Sequence, residues 1–118
     1  MKLTLTEPRF LKEPITIISD LVTDVKFKVR KDKIELIAMD PANVALIVFK
    51  LLSTAFVEYD VTEDCEIAVN LENLKNIMRR AKPTDTVSLE LDNEKNILII
   101  QLKGETTRTF NMSLIDLD

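Results

Sequence analysis

Four cations crowd one short stretch of this chain. Lys75, Arg79, Arg80 and Lys82 lie within residues 70–82, NLENLKNIMRRAK. The chain as a whole is acidic, with 16 Lys+Arg against 20 Asp+Glu and a formal net charge of -4. A cationic stretch on an acidic body attracts a polyanion at one place and repels it elsewhere. At ~100° per residue the spacing predicts a helix, with Leu71, Leu74, Ile77, Met78 and Ala81 on one stripe. Glu72, Asn76 and Arg79 fall opposite that stripe, and Lys75, Arg80 and Lys82 fall on its flanks. Taken by itself, the stretch also fits a solvated surface helix with ordinary cations.

Other chemistry is constrained by what the chain lacks. It contains no histidine. That removes the commonest general base and metal ligand, and with them the nucleophilic triads and Cys/His zinc sites. A single glycine, Gly104, rules out glycine-rich phosphate loops. Carboxylates remain, and Asp60, Glu63, Asp64 and Glu66 cluster. They lack the loop glycine and ligand spacing of a calcium site and read as a solvated acidic loop. The lone Cys65 sits among those carboxylates, which disfavour its thiolate. One unpaired cysteine fits a reducing cytosol. No metal or cofactor is implied. The N-terminus has no apolar h-region, and no apolar run approaches the ~20 residues of a membrane helix.

Elements must position the cations, and 118 residues suffice for one domain. Residues 2–6 alternate as a short strand. A helix follows, with Thr6 as its expected N-cap and Pro8 in its first turn. Its apolar stripe is Phe10, Leu11, Ile15, Ile18, Leu21 and Val22, with Ile17 at the margin. Arg9, Lys12, Thr16 and Ser19 face away. Pro14 removes a backbone donor and predicts a kink or a late start. Period-two strands then follow at 25–30, 34–39, 44–50 and, more weakly, 56–61. Residues 66–69 lead into the cationic helix. Strands at 87–91, 97–102 and 105–115 close the chain. The order β-α-β-β-β-β-α-β-β-β predicts an α+β domain: antiparallel sheets with two helices on one face. The expected open sheet edges are 106–112 and 56–61.

Three segments are similar to one family. Ala38-Met39-Asp40-Pro41-Ala42-Asn43-Val44-Ala45-Leu46 resembles the AMDP-x-x-V-x-L segment of archaeal proliferating cell nuclear antigen, the sliding clamp. Val69-Asn70-Leu71 with Leu74-Lys75 and Met78-Arg79-Arg80-Ala81-Lys82 resembles its second helix. Arg108-Thr109-Phe110 with Leu114-Ile115-Asp116-Leu117-Asp118 resembles the strand closing its first domain. The resemblance runs over residues 1–118 and covers about half of a clamp subunit. It implies the first of two similar domains, with the second absent, as in a truncated form or a fragment.

The resemblance further implies a non-enzymatic processivity factor: a ring, homotrimeric in the full-length protein, that encircles double-stranded DNA without sequence specificity. Implied partners are a DNA polymerase, other proteins carrying short clamp-binding motifs, and a clamp loader. No membrane role is implied, and the expected location is cytoplasmic, at the nucleoid. DNA-facing positions are Lys12 and Arg79, to which the helical wheel adds Arg9 and Lys75. Met39, Asn43, Val44 and Leu46 border the implied partner groove, although Val44 and Leu46 equally suit a core. Arg80, Lys82, Thr107, Arg108 and Phe110 lie at the implied subunit joint. The alternative is a stand-alone protein-interaction domain without a DNA role.

Overall fold

The computed structural model describes residues 1–116 of the chain; Leu117 and Asp118, in the third family-like segment, lie outside the described residues. The elements are β1 (Lys2–Leu5), α1 (Arg9–Ser19), β2 (Asp24–Val29), β3 (Lys33–Met39), β4 (Leu46–Leu52), β5 (Glu58–Asp60), β6 (Cys65–Asn70), α2 (Leu71–Met78), β7 (Thr86–Asp92), β8 (Ile97–Lys103) and β9 (Thr107–Ser113). Five strands, not four, separate the helices, because the segment leading into α2 is itself a full strand paired with β2. All ladders are antiparallel. They form a five-stranded sheet, β5-β1-β7-β8-β9, and a four-stranded sheet, β4-β3-β2-β6.

One apolar cluster joins both sheets and both helices. Leu11, Ile15 and Ile18 of α1 are buried with Leu71, Leu74 and Met78 of α2. Inward residues of both sheets, such as Leu3, Val25, Leu36, Val69, Val87 and Ile100, complete it. The two helices pack against each other; α1 also touches β4, and α2 touches β6 and β9. Across the helix layer the order is therefore β4, α1, α2, β9.

Several local expectations are corrected. Thr6 does not cap α1: Pro8 occupies the N-cap position and no side-chain cap bond forms. The helix starts at Arg9 and runs through Pro14 without a late start, although the proline nitrogen has no proton to donate. It ends at Ser19, so Leu21 and Val22 lie beyond it. Phe10 and Leu21, expected in the buried stripe, are exposed beside β4 instead. Helix α2 is shorter than expected and stops at Met78, which leaves Arg80 and Lys82 on a turn. Asn70 caps its start by accepting the Asn73 N–H at 3.0 Å. Strand β4 begins two residues later than the alternation suggested. The Asp40 carboxylate accepts the N–H groups of Val44 (2.8 Å) and Ala45 (3.1 Å), and Asn43 turns at φ 57°, so a tight loop takes those residues. Strand β5 is only Glu58–Asp60, because Phe56 turns inward to the core.

The acidic cluster is largely solvated, as its composition implies, but two members have partners. Asp64 pairs with Arg30 at 3.4 Å and Glu66 with Lys26 at 3.4 Å. The Cys65 thiol is pushed above its ordinary pKa chiefly by burial; Asp64 adds to this and the N-terminal ammonium opposes it. The cause is thus mainly solvent exclusion and only secondarily the neighbouring carboxylates.

Two features generate measurable expectations. Burial pushes the Tyr59 phenol up to about 12, with carboxylates adding to the effect, and its hydroxyl donates to the Arg30 carbonyl. A folded-state pKa above the unfolded one gives stability that is complete below the unfolded value and lost as pH rises through the folded value. Tyr59 is the only tyrosine, so phenolate absorbance reports it alone. Its midpoint should lie near pH 12 in the folded chain and near 10 in denaturant. Tyr59→Phe should remove the corresponding loss of stability between those values.

The second feature is the lone glycine. Asp85 is buried and accepts the Lys82 N–H (2.9 Å) and an Arg108 guanidinium N–H (3.1 Å). A Cβ at Gly104 would overlap Asp85 Oδ1. Gly104→Ala should therefore destabilise by about 1–3 kcal/mol. In an Asp85→Ala background the same change should cost markedly less, and denaturant unfolding of the double-mutant cycle measures that coupling.

Candidate nucleic-acid and partner interfaces

The cations of the helix layer sit in different states. Arg79 is exposed at the C-terminal end of α2 and makes no ion pair among the described residues. Arg9 is exposed, 3.5 Å from Glu7, with its guanidinium over the Phe10 ring. Lys75 is half-buried and 3.4 Å from Glu72, one helical turn earlier. Lys12 is partly buried and donates from Nζ to the Ala81 carbonyl at 3.2 Å, which ties α1 to the end of α2. Arg9 and Lys12 line a groove with Glu13, Thr16, Ala81 and Pro83. All four positions belong to the two neighbouring helices, but only Arg79 is an uncommitted charge. Glu13, Asp20 and Glu72 are exposed on the same helices or at their ends. The layer is therefore less positive than its cation count implies.

The residues of the second candidate surface lie on β3, the Asp40 turn and β4. Val44 is 84% exposed, Leu46 60% and Met39 48%. The core alternative for Val44 and Leu46 is thereby excluded. Two further residues extend the surface: Ile37 and Val48, which alternation alone would place on either face. Met39 stands opposite Leu46, and Ile37 opposite Val48, at 58% and 54% exposure. The Asp40 N–H bonds the Ala45 carbonyl. That fixes the ladder phase, so both pairs fall at the closer-spaced, non-hydrogen-bonded sites. The result is a contiguous apolar patch on the solvent face of the four-stranded sheet, rimmed by the Asn43 turn. Such patches mark binding sites.

The third group surrounds β9. Arg108 is half-buried and already bonded to Asp85 and to the Arg80 carbonyl. It is an internal strut more than a free cation, and it fixes the turn that carries Arg80 and Lys82. Arg80 stacks over the Phe110 ring at 5.5 Å. Thr107 is exposed, and Phe110 is half-buried against the core.

A family model described as "Proliferating cell nuclear antigen, N-terminal domain" matches residues 1–118. The chain belongs to this family. Its relatives include the DNA polymerase sliding clamp of Pyrococcus furiosus, 43% identical over 100 residues, covering 85% of this chain and 40% of that protein. The DNA polymerase sliding clamp of Nanoarchaeum equitans is 33% identical over 117 residues, covering 98% and 47%. Among solved structures, the proliferating cell nuclear antigen of Thermococcus kodakaraensis has a TM-score of 0.92 at 25% identity, covering 98% of this chain and 46% of that one. A PCNA2-PCNA3 complex from Sulfolobus tokodaii has a TM-score of 0.94 at 19% identity, covering 100% and 48%, and speaks to the fold. The chain spans about half the length of the relatives it matches. The expected antiparallel sheets and neighbouring helices are those of this family, and no helix is long and apolar enough to cross a membrane.

The exposure of the apolar patch sets an expectation. Val44→Ala and Leu46→Ala should each change stability by less than about 0.5 kcal/mol. Leu36→Ala, on the buried face of β3, should cost about 2–5 kcal/mol. Denaturant unfolding of the three variants checks the contrast.

Proposed function

We propose that this chain is the first domain of a DNA sliding clamp, a non-enzymatic processivity factor that encircles duplex DNA and tethers a polymerase to it. The observation that carries the reading is the helix layer. Two short helices lie side by side on a shared core, and they carry Arg9, Lys12, Lys75 and, at the end of α2, Arg79. Such a surface meets phosphates without reading bases. Among the described residues a single aromatic, Phe10, accompanies it, with the Arg9 guanidinium over its ring, and one ring makes no platform for a run of stacked single-stranded bases. In this reading Arg79 and Arg9 make the phosphate contacts, while Lys12 and Lys75 shape the field from partly committed positions.

The apolar patch of Met39, Val44 and Leu46, beside Asn43 and extended by Ile37 and Val48, is the docking surface for short apolar and aromatic motifs of replication partners. Methionine suits such a wall because its side chain adapts to different plugs. The β9 edge, with Thr107, Phe110, Arg80 and Lys82, serves the joint between subunits of a homotrimer, and Arg108 holds that edge in place. A loader protein would open the ring around DNA, in the cytoplasm at the nucleoid. The naming of the relatives as DNA polymerase sliding clamps supports the class.

The test uses the assembled ring that carries this domain. Arg79→Glu should reduce retention on circular duplex DNA and processive synthesis, with the folding stability of the domain unchanged. Each lost phosphate contact should lower the slope of log affinity against log salt by about one. Lys12→Glu should add a stability loss, because it also breaks the link to Ala81. Unchanged retention and salt dependence for Arg79→Glu would overturn the assignment.

A further inference from the structure

The apolar core contains a void. A cavity of about 40 Å³ lies where both sheets and both helices meet. Leu3 walls it from the five-stranded sheet, Val29 and Val69 from the four-stranded sheet, and Leu74 and Met78 from α2. All five are buried. Protein interiors pack to the density of organic crystals, and voids larger than a water are few. Here the two valines leave the space. Val29 stands opposite Ile34, and Val69 is two residues from Ile67; both isoleucines also line the cavity and are one carbon longer.

Water does not suit this space. Room is sufficient, since a single water needs about 10–15 Å³ on the same measure. Partners are lacking: a buried water typically makes about three hydrogen bonds, and the lining is wholly apolar. Apolar cavities of this kind stay dry and take apolar guests, and one of about 150 Å³ holds benzene or xenon. At about 40 Å³ this cavity is too small for benzene. It fits a single xenon atom or a molecule of one or two carbons. Lining atoms that face a void lack dispersion partners on that side, and a guest at contact distance restores them. One wall can adjust to the guest. Met1 is the single lining residue outside the strands and helices, and it is partly exposed. Its unbranched, polarizable side chain adapts to irregular gaps.

We propose that this cavity is a binding site for one small apolar molecule, of the size of xenon or of a one- or two-carbon hydrocarbon. The inference rests on the core alone and is independent of any role with DNA. The guest sits between the helix stripe and both sheets, so it acts on the packing that fixes the helix layer. A guest that binds only the folded chain also stabilises it by mass action.

The four methionines of the chain supply the test, because they divide evenly. Met1 and Met78 line the cavity, whereas Met39 lies in the exposed apolar patch and Met112 is buried elsewhere in the core. Methyl-labelled methionine therefore gives two NMR reporters and two controls. Over a series of xenon pressures the Met1 and Met78 methyl signals should shift along a saturating curve. Those of Met39 and Met112 should drift only weakly and linearly. Val69→Ile extends one methylene into the cavity and should lose the saturating shift at Met78, while its thermal midpoint rises by a few degrees. Where that variant fails to fold, by circular dichroism, Val29→Ile takes its place. Shifts at Met1 and Met78 that do not saturate overturn the proposal. So do shifts equally large at Met39 or Met112, or a response that persists unchanged in the isoleucine variant.

Discussion

Everything on the surface of this domain follows from two short helices sharing one core with both sheets. Leu11, Ile15 and Ile18 must be buried together with Leu71, Leu74 and Met78. That requirement fixes the rotation of each helix about its axis. It sends Arg9 and Arg79 outward, and it brings the helices close enough for Lys12 to reach the Ala81 carbonyl. At roughly 1.5–3 kcal/mol for each fully buried large apolar side chain, the stripe outweighs any single surface charge. The position of the cations is therefore a consequence of packing and not of their own interactions.

The same core decides which sheet faces are wet. Strand β3 puts Ile34 and Leu36 inside and leaves Ile37 and Met39 outside. An alternating strand would normally fill that outer face with polar residues. Here Lys33, Glu35 and Lys50 are polar, while Ile37, Met39, Leu46 and Val48 are not. Glu35 is held by Arg30 at 2.9 Å, and that contact keeps its carboxyl below the usual carboxylate range. The outer face thus has an ionic end, where Leu52 is also exposed, and an apolar end. The apolar end lies outside the buried core, which makes recognition its most economical explanation.

Much of this was legible in the sequence, and the reasons for the rest are local. Period-two runs located the strands, because one face of each is buried and the other is mostly not. Helix α2 was found from its stripe but overextended, since residues 79–82 continue the pattern while the backbone has already turned. The late start of β4 depends on one carboxylate, Asp40, taking two backbone donors, and alternation does not report that. Whether Val44 and Leu46 were core or surface depended on register. A slip of one residue would reverse every side chain. The state of each cation was hidden for a different reason. Lys75 and Glu72 are close in sequence, but Lys12 with Ala81 and Arg108 with Asp85 meet only through the fold.

The commitment of those cations bears on how such a surface would hold DNA. Each phosphate neutralised contributes about 0.9 to the salt slope, and proteins that bind duplex DNA tightly by charge alone use some six to ten of them. One uncommitted arginine, one weakly paired arginine and two lysines tied to protein partners fall well short of that number. Exposed carboxylates on the same layer subtract further. Attraction of this size cannot by itself hold the single domain on DNA for many turnovers of a polymerase. It can keep a duplex centred without locking its register, and a weak, salt-screened field of that kind leaves low barriers to translation along the strand. In the proposed clamp, lasting attachment would come from closure around the duplex.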